Sequence, residues 1–211
     1  MWPSAVVLSH WIASNPQQVN NKQVLELGAG CGLVGLFTAC LQQSMSRSMP
    51  LDACRNQSVI LSDFNETVLE NITRNISLNA VNGIAKAISL DFYQQTGDRD
   101  GWIDMTGEIH ECVDVVLGAD IICQASDAYA AARTIHDSLK VGGQAFIVCG
   151  DSEHRFGVEK FEEACRLHRL EVSMENVKNL YDGRLMSACI EKTTGYVENM
   201  TLKLFVVHKS V

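Results

Sequence analysis

The sequence predicts an α/β fold in which helices pack on both faces of a mainly parallel sheet. The first observation is that strand-like segments alternate with amphipathic helical segments along the chain. The second is the segment Val113–Leu117, which is apolar without alternation. A strand that crossover helices bury on both faces has this continuous apolar character. Together these observations indicate βαβ units.

The first half of the chain is predicted to supply three strands and three helices. Pro3 opens the first helix, since its fixed φ suits a first helical turn. Each predicted helical face follows the i, i+3, i+4 spacing of an amphipathic helix. The predicted strands are 23–27, 58–62 and 86–90, and the helical faces are Ala5, Leu8 and Ile12, then Leu33, Leu36, Phe37, Cys40 and Leu41, then Val68, Leu69, Ile72 and Ile76. Residues 42–57 and 94–111 are predicted to be loops.

The second half continues the alternation less regularly. Strands are predicted at 113–117, 145–149, 171–174 and 202–207, and helices at 126–139 and 158–167. The glycines of Val141-Gly142-Gly143 are predicted to end the helix that precedes them. Because no repeat, low-complexity tract or linker interrupts the pattern, residues 1–211 are predicted to form a single domain.

Composition excludes several classes of protein. The 211 residues are 46% hydrophobic and 20% charged, with a formal net charge of −8, so disorder is excluded and nucleic acid is disfavoured as a partner. The only prolines are Pro3, Pro16 and Pro50. Their positions exclude the Asn/Asp-Pro-Pro-aromatic signature of many nucleic-acid amino-methyltransferases.

Cysteine usage and the N-terminal sequence predict an intracellular protein without a metal. The eight cysteines include no Cys-x-x-Cys pair and are interpreted as reduced, buried side chains rather than zinc ligands. The start of the chain lacks the features of a signal peptide, and no stretch has the length and apolarity of a membrane span. The expected location is the cytoplasm, with the nucleus as a second compartment.

A glycine-rich turn, Glu26-Leu27-Gly28-Ala29-Gly30-Cys31-Gly32, follows the first predicted strand. Ligands of open α/β sheets bind at the carboxyl ends of the strands, where such a turn lets a ligand lie against the backbone. Gly32 comes two residues after Gly30, whereas the dinucleotide fingerprint requires three. A nicotinamide dehydrogenase is therefore the second choice. Asp63, at the end of the second strand, is expected to accept hydrogen bonds from a ribose diol or, alternatively, to form an N-cap or an Asx turn before the next helix.

The pattern Glu-x-Gly-x-Gly-x-Gly resembles motif I of the seven-strand S-adenosylmethionine methyltransferases. A wider set of motifs resembles the lysine methyltransferases called methyltransferase family 16, particularly the branches that modify calmodulin and elongation factor 2. These motifs are Trp2-Pro3-Ser4-Ala5, the segment from Leu25 to Leu36, Ser62-Asp63-Phe64-Asn65-Glu66, Asn75-Ile76-Ser77-Leu78-Asn79 and Gly118-Ala119-Asp120. The resemblance covers about residues 2–150.

This resemblance implies a Rossmann-like three-layer α-β-α sandwich with a mainly parallel seven-stranded sheet, and S-adenosylmethionine as cofactor. It assigns Glu26, Gly28, Ala29, Gly30 and Gly32 to the methionine end of the cofactor, Asp63 to the ribose, Asp91 and Phe92 to the adenine, Trp2 to the wall, and Ala119 and Asp120 to the transferred methyl group. Simpler roles stay open: packing for Trp2, closure of the sheet edge for Phe92, and a solvated strand end for Asp120.

The leading hypothesis is protein-lysine N-methylation, with calmodulin, an elongation factor or a chaperone as the expected class of partner. Asp120 is assigned to binding and orienting the amine first, and to proton acceptance second. The sequence departs from the family at Cys123, where an aromatic residue is usual. Either Tyr129, Phe64 or a later aromatic residue rebuilds the pocket, or the acceptor differs, or the activity is weak. The motif at Trp2 also lacks the N-terminal extension usual in the family, which implies a short form. A methyltransferase for a small molecule or another side chain, and a non-catalytic binding module, stay open as alternatives.

Overall fold

The computed structural model describes residues 1–46, 58–93, 112–151, 153, 155–177, 184–197 and 200–210. These residues form seven strands: β1 (Gln23–Leu27), β2 (Ser58–Asp63), β3 (Ala85–Ser89), β4 (Val113–Ala119), β5 (Leu139–Gly150), β6 (Leu170–Asn176) and β7 (Leu202–Lys209). They also form α1 (Pro3–Ser14), α2 (Leu33–Ser46), α3 (Glu66–Leu78), α4 (Ala125–Ser138), α5 (Phe161–Leu167) and α6 (Arg184–Glu191). The seven strands belong to one sheet.

The strand order in the sheet is β3-β2-β1-β4-β5-β7-β6. Strands β1 to β5 pair in parallel, whereas β7 runs antiparallel to both β5 and β6. The predicted mainly parallel seven-stranded sheet is confirmed. The order of strands reverses direction between β1 and β4, and such a switch point opens a crevice at the carboxyl ends of the strands.

Two apolar clusters lie on opposite faces of the sheet and give the fold its three layers. One face is covered by α1, α2 and α3 and contains Leu8, Ile12 and Ile72, all fully buried. The other is covered by α4 and α5 and contains Ile135 and Phe161. Burial of apolar surface on both sides of each central strand explains why β4 and β5 have continuous apolar sequences.

The predicted helical faces of α1 and α3 are confirmed, whereas the face predicted for α2 packs on the core but contains none of the fully buried residues of that helix. Leu36, Phe37, Cys40 and Leu41 are only half-buried. The buried side of α2 is instead formed by its smaller and polar residues, namely Val34, Gly35, Thr38, Ala39 and Gln42. Gly35 lies against Leu61 of β2, where an added Cβ would come within 2.6 Å of Leu61 Cγ, so a small residue lets the helix approach the sheet closely.

Several predicted boundaries also need correction. Helix α2 continues to Ser46, so residues 42–46 are helical rather than a loop, and residues 47–57 and 94–111 lie outside the described residues. Helix α4 ends at Ser138, before the glycines at 142 and 143, which lie inside β5. The pairing register between β4 and β5 shifts in this region, and an irregular stretch of strand accommodates glycine as readily as a helix end does. Helix α6 was not predicted.

Cysteines differ in exposure more than the sequence indicated. Cys149 and Cys165 are buried, as predicted, but Cys31, Cys123 and Cys189 are exposed. Within the described ranges, no group of three His, Cys, Asp or Glu side chains is placed to hold a metal ion. A search of the described helices finds none long and apolar enough to span a membrane.

Candidate active site

A cavity of about 630 Å³ opens at the carboxyl ends of β1 to β4, at the point where the strand order reverses. Its size is typical of a site for a small molecule or cofactor. Ten of the residues predicted from the sequence line it: Trp2, Glu26, Gly28, Ala29, Gly30, Asp63, Asp91, Phe92, Ala119 and Asp120. The structure therefore brings together residues that lie as far apart in the sequence as positions 2 and 120.

The glycine-rich turn forms the floor between β1 and α2. Gly28, Gly30 and Gly32 all have positive φ values, which allow the backbone to turn at the end of β1. The turn is fixed to the neighbouring strand, because Ala29 N–H donates to the Ser62 carbonyl at 2.8 Å. Gly32, which the sequence also assigned to the cofactor loop, does not line the cavity. It is buried behind the turn, where an added Cβ would meet Leu61 and Leu36, so it lets α2 pack closely at this point.

Glu26, near the end of β1, is a buried carboxyl group at the inner end of the cavity. Its side chain is only 2% exposed, and its Oε2 accepts a hydrogen bond from Gly35 N–H at 2.9 Å. Burial raises the pKa of Glu26 to about 8, although the hydrogen bond from Gly35 opposes this shift, and the nearby Asp63 adds to it. Perturbation of this kind inside a cleft is typical of a functional residue.

Asp63 ends β2 and is 8% exposed. Its Oδ2 accepts from Gly30 N–H at 3.1 Å, and its Oδ1 accepts from Asn65 N–H at 3.1 Å. The second bond is the Asx turn that the sequence left as an alternative, but the helix cap itself is Asn65, whose side chain accepts from Val68 N–H. Asp63 thus organises the glycine-rich turn and also presents its carboxylate to the cavity.

Aromatic residues after β3 form the far wall. Phe92 is half-buried against the apolar cluster under α4 and α5, and Asp91 accepts a hydrogen bond from Tyr93 N–H at 2.9 Å. The Tyr93 hydroxyl bonds to Asp127, which also accepts from the backbone N–H of Gln124 at the start of α4. The wall after β3 is therefore tied to the helix that follows β4. Sequence reasoning missed both Tyr93 and Asp127.

Asp120, directly after β4, is paired with a residue that the sequence did not indicate. Arg155 Nε donates to Asp120 Oδ1 at 2.8 Å, and Arg155 Nη2 donates to Asp120 Oδ2 at 2.6 Å. The Asp120 side chain is 3% exposed, so the predicted alternative of a solvated acid is wrong. The guanidinium carbon of Arg155 also lies 5.2 Å from the centroid of the Trp2 ring, a cation–π distance.

Two aromatic residues, Phe64 and Tyr129, are candidate replacements for the aromatic residue missing at Cys123, and only Phe64 lines the cavity. Phe64 lines the cavity and is 71% exposed, whereas Tyr129 packs under α4 and α5 and bonds to Glu163. Cys123 is exposed and does not line the cavity. No local pattern in the sequence distinguished Tyr93 or Arg155, because each acts through a partner distant along the chain, whereas Asp127 is also part of a local capping box with Gln124 at the start of α4.

Comparison with known proteins agrees with this geometry. A family model described as lysine methyltransferase matches residues 1–164. The chain belongs to the lysine methyltransferase family. All the cavity residues lie within the matched segment, and so does Arg155. The resemblance inferred from the sequence motifs is thereby confirmed.

Among curated members of the lysine methyltransferase family, human protein-lysine N-methyltransferase EEF2KMT is 32% identical over 57% of this chain and 34% of its own length. Arabidopsis thaliana calmodulin-lysine N-methyltransferase is 30% identical over 66% of this chain and 40% of its own. The matches thus span about a third to two fifths of these relatives.

A solved structure extends the likeness in fold. Geranyl diphosphate C-methyltransferase from Streptomyces coelicolor, in complex with Mg²⁺, geranyl diphosphate and S-adenosyl-L-homocysteine, superposes with a TM-score of 0.62. It covers 95% of this chain and 78% of its own, at 10% sequence identity. At that identity the likeness shows the fold alone, which is the Rossmann-like methyltransferase fold.

Proposed function

We propose that this member of the lysine methyltransferase family is an S-adenosylmethionine-dependent protein-lysine N-methyltransferase. The observation that carries the proposal is the cavity, whose predicted cofactor residues converge at the strand ends inside the family-matched segment. The acceptor is a lysine of another protein. Calmodulin and elongation factor 2 are the first expected partners, because the two curated relatives are a calmodulin-lysine N-methyltransferase and EEF2KMT.

The residues present fit the chemistry of the proposed cofactor. Glu26 in its ionised form offers a carboxylate to an ammonium group, Asp63 offers one to a diol, and Phe92 offers an apolar face to a base. S-adenosylmethionine supplies an electrophilic methyl group on a positively charged sulfur. Glu26 and Asp63 would hold its methionine and ribose parts, while Asp91 and Phe92 would hold the adenine.

The chain's own contribution to the reaction is alignment and control of protonation. A free lysine amine has a pKa of about 10.4, so presenting it neutral at pH 7 costs roughly 4–5 kcal/mol. Partial burial at the end of β4, next to Ala119 and Asp120, reduces this cost because it disfavours the ammonium form. Holding the amine in line with the methyl donor supplies the remaining acceleration without a protein nucleophile.

Calorimetry tests the cofactor. We expect the chain to bind S-adenosylmethionine but not NAD, and Asp63→Asn to weaken the binding about tenfold or more, because a hydrogen bond to a charged group contributes roughly 1.5–3 kcal/mol. Glu70→Gln is the matched control, since Glu70 is exposed on α3 and does not line the cavity. Binding of NAD without S-adenosylmethionine would contradict the proposal.

Labelling tests the acceptor. The chain is incubated with cell lysate and S-adenosylmethionine carrying a tritiated methyl group, and a discrete labelled protein is analysed by mass spectrometry. Methylation on a lysine side chain is the expected outcome. Label confined to small molecules would indicate a small-molecule methyltransferase, and cofactor binding without any transfer would indicate a non-catalytic module.

A further inference from the structure

The pair formed by Asp120 and Arg155 sits where the proposed function requires an amine. Asp120 lines the cavity next to Ala119 and Ile121, and its carboxylate is bound by both Nε and Nη2 of Arg155. Such two-pronged pairs are among the strongest charge-assisted hydrogen bonds in proteins. The Asp120 carboxylate is therefore already neutralised by a protein cation.

The backbone also fixes this arrangement. Asp120 has a φ of +60°, in the left-handed region, and its N–H donates to the Val148 carbonyl of β5 at 2.8 Å. Asn and Asp tolerate this conformation better than most other residues. The orientation of the carboxylate towards Arg155 is thus set by the end of the sheet rather than by a flexible side chain.

Trp2 extends the same assembly. Its ring lies 5.2 Å from the guanidinium carbon of Arg155, and a Cβ on Gly195 would come within 1.8 Å of the ring. Thr194 N–H donates to the Met1 carbonyl at 2.9 Å, which holds the N-terminal segment against this part of the chain. Arg155 thus contacts two residues that line the cavity, Trp2 and Asp120, although it does not line the cavity itself.

Within the part of the chain that the structure describes, the other titratable groups around Asp120 are neutral thiols and one more acid. Burial raises the pKa of Cys149 in β5 to about 12, with a further contribution from Asp120. Burial and Asp120 also raise the pKa of Cys123. Asp127 of α4 faces Cys123 rather than Asp120, because it accepts from Cys123 N–H at 2.8 Å. Among the described groups that act on Asp120, Arg155 carries the compensating positive charge.

We propose that Arg155 is a positioning residue of the transfer site, which neutralises Asp120 so that the acceptor amine meets no unpaired carboxylate. This inference rests on the proposed function. An unpaired Asp120 would favour the ammonium form of lysine, which cannot attack the methyl group. Paired with Arg155, Asp120 orients the amine through its oxygen lone pairs without holding the proton on it.

Variants of the pair give shifts of opposite sign in the pH dependence of methyl transfer, measured as tritium incorporation into the labelled acceptor protein between pH 6.5 and 10. Arg155→Met should move the rising limb to higher pH by about one unit, because the exposed carboxylate stabilises the ammonium. Asp120→Asn should move it to lower pH by a similar amount, because Arg155 then stands unneutralised. Asn keeps the left-handed backbone accessible.

Two further variants are controls. Arg155→Lys retains the positive charge and should keep the pH profile of the unaltered chain even where the maximal rate falls. The double variant Asp120→Asn/Arg155→Met removes both charges and should return the limb to its original position. A merely structural role for Arg155 would lower the rate in Arg155→Met without moving the pH profile.

Chemical denaturation provides a readout that does not depend on activity. The unfolding midpoint should fall in Arg155→Met, because a buried charge loses its partner, and should recover at least partly in the double variant. Unshifted profiles in both Arg155→Met and Asp120→Asn would overturn the inference. Absence of methyl transfer by the unaltered chain would instead refute the proposed function, while the denaturation cycle would still report on the pair.

Discussion

Replacement of Glu26 by Gln should raise the stability of the protein at neutral pH and lower its affinity for the cofactor. Glu26 is buried, and its pKa is raised from 4.5 to about 8 by that burial, with a smaller contribution from Asp63. In the free protein at pH 7 the carboxyl group is therefore mostly protonated. Gln reproduces the shape and neutrality of this protonated form and retains an oxygen that can accept from Gly35 N–H.

The sign of the stability effect follows from proton binding. Above pH 4.5 the unfolded chain releases the Glu26 proton, whereas the folded chain keeps it up to about pH 8. The free energy of unfolding of the unaltered protein thus falls relative to that of Glu26→Gln by about 1.4 kcal/mol per pH unit in this window. The accumulated difference is roughly 3–6 kcal/mol. Urea unfolding at pH 5 and pH 8 measures it.

As the pH rises, the affinity of the unaltered chain for the cofactor should increase relative to that of Glu26→Gln, whereas its relative stability falls. If the ionised carboxylate contributes about 2.7 kcal/mol, or about a hundredfold in affinity, to holding the ammonium of S-adenosylmethionine, the affinity ratio of the unaltered chain to Glu26→Gln is about 2 at pH 6. With a pKa of about 8 for Glu26, the ratio then rises to about 10 at pH 7 and about 50 at pH 8. Taking a ratio cancels the titration of the cofactor's own amine.

Calorimetry of both chains at these three pH values is the assay, with Glu70→Gln as a control that removes an equivalent charge from an exposed site on α3. The reasoning fails if the affinity ratio is constant between pH 6 and pH 8. It also fails if Glu26→Gln is less stable than the unaltered chain at pH 8, because burial would then not be what raises the pKa.

Three other substitutions test the geometry of the cavity. Gly35→Ala places a Cβ 2.5 Å from Glu26 Oε2, so we expect a loss of about 1–3 kcal/mol in unfolding free energy together with weaker cofactor binding; Gly83→Ala, which meets nothing within 4 Å, is the thermal-denaturation control. Asp63→Asn should reduce the free energy of cofactor binding more than it reduces the free energy of unfolding, because the Asx turn to Asn65 survives. Equal losses in these two free energies, measured by calorimetry and by thermal denaturation, would contradict this. Tyr93→Phe removes the hydroxyl that links the wall after β3 to α4 and should weaken cofactor binding a few-fold with less than about 1 kcal/mol lost in stability, whereas unchanged affinity would show that the link does not shape the site.

The parallel part of the fold could be predicted because its elements depend on local patterns. Continuous apolar strands and the spacing of Ile72 and Ile76 on α3 survive in the structure almost unchanged. Prediction failed where tertiary packing overrode the pattern. Helix α2 places Gly35 and Ala39 on the sheet because close approach to β2 requires small residues, and its larger apolar residues are displaced to a half-buried flank.

Whether a residue of the candidate site could be predicted from the sequence depends on how far along the chain its partner lies. Glu26, Gly30 and Asp63 belong to motifs around the first two strands that the sequence analysis singled out, and the structure joins Glu26 to Gly35 and Gly30 to Asp63 by hydrogen bonds. Arg155 and Tyr93 gain their roles only through contacts made on folding. The sequence around them carries no pattern that distinguishes a site residue from an ordinary surface residue.

The part of the site proposed to bind the cofactor and the part proposed to bind the acceptor differ in how easily they can change. The proposed cofactor half is built from contacts between adjacent strands and the helices that follow them, so altering it disturbs the sheet itself. The proposed acceptor half joins Trp2, Asp120, Arg155 and Gly195 from four separate segments. Substitutions in the segments after β5 can therefore alter charge and shape beside Asp120 while Glu26 and Asp63 keep their surroundings. Acceptor preference is accordingly expected to depend on residues around 155 and 195, of which those around 195 lie beyond the segment 1–164 that the family model matches.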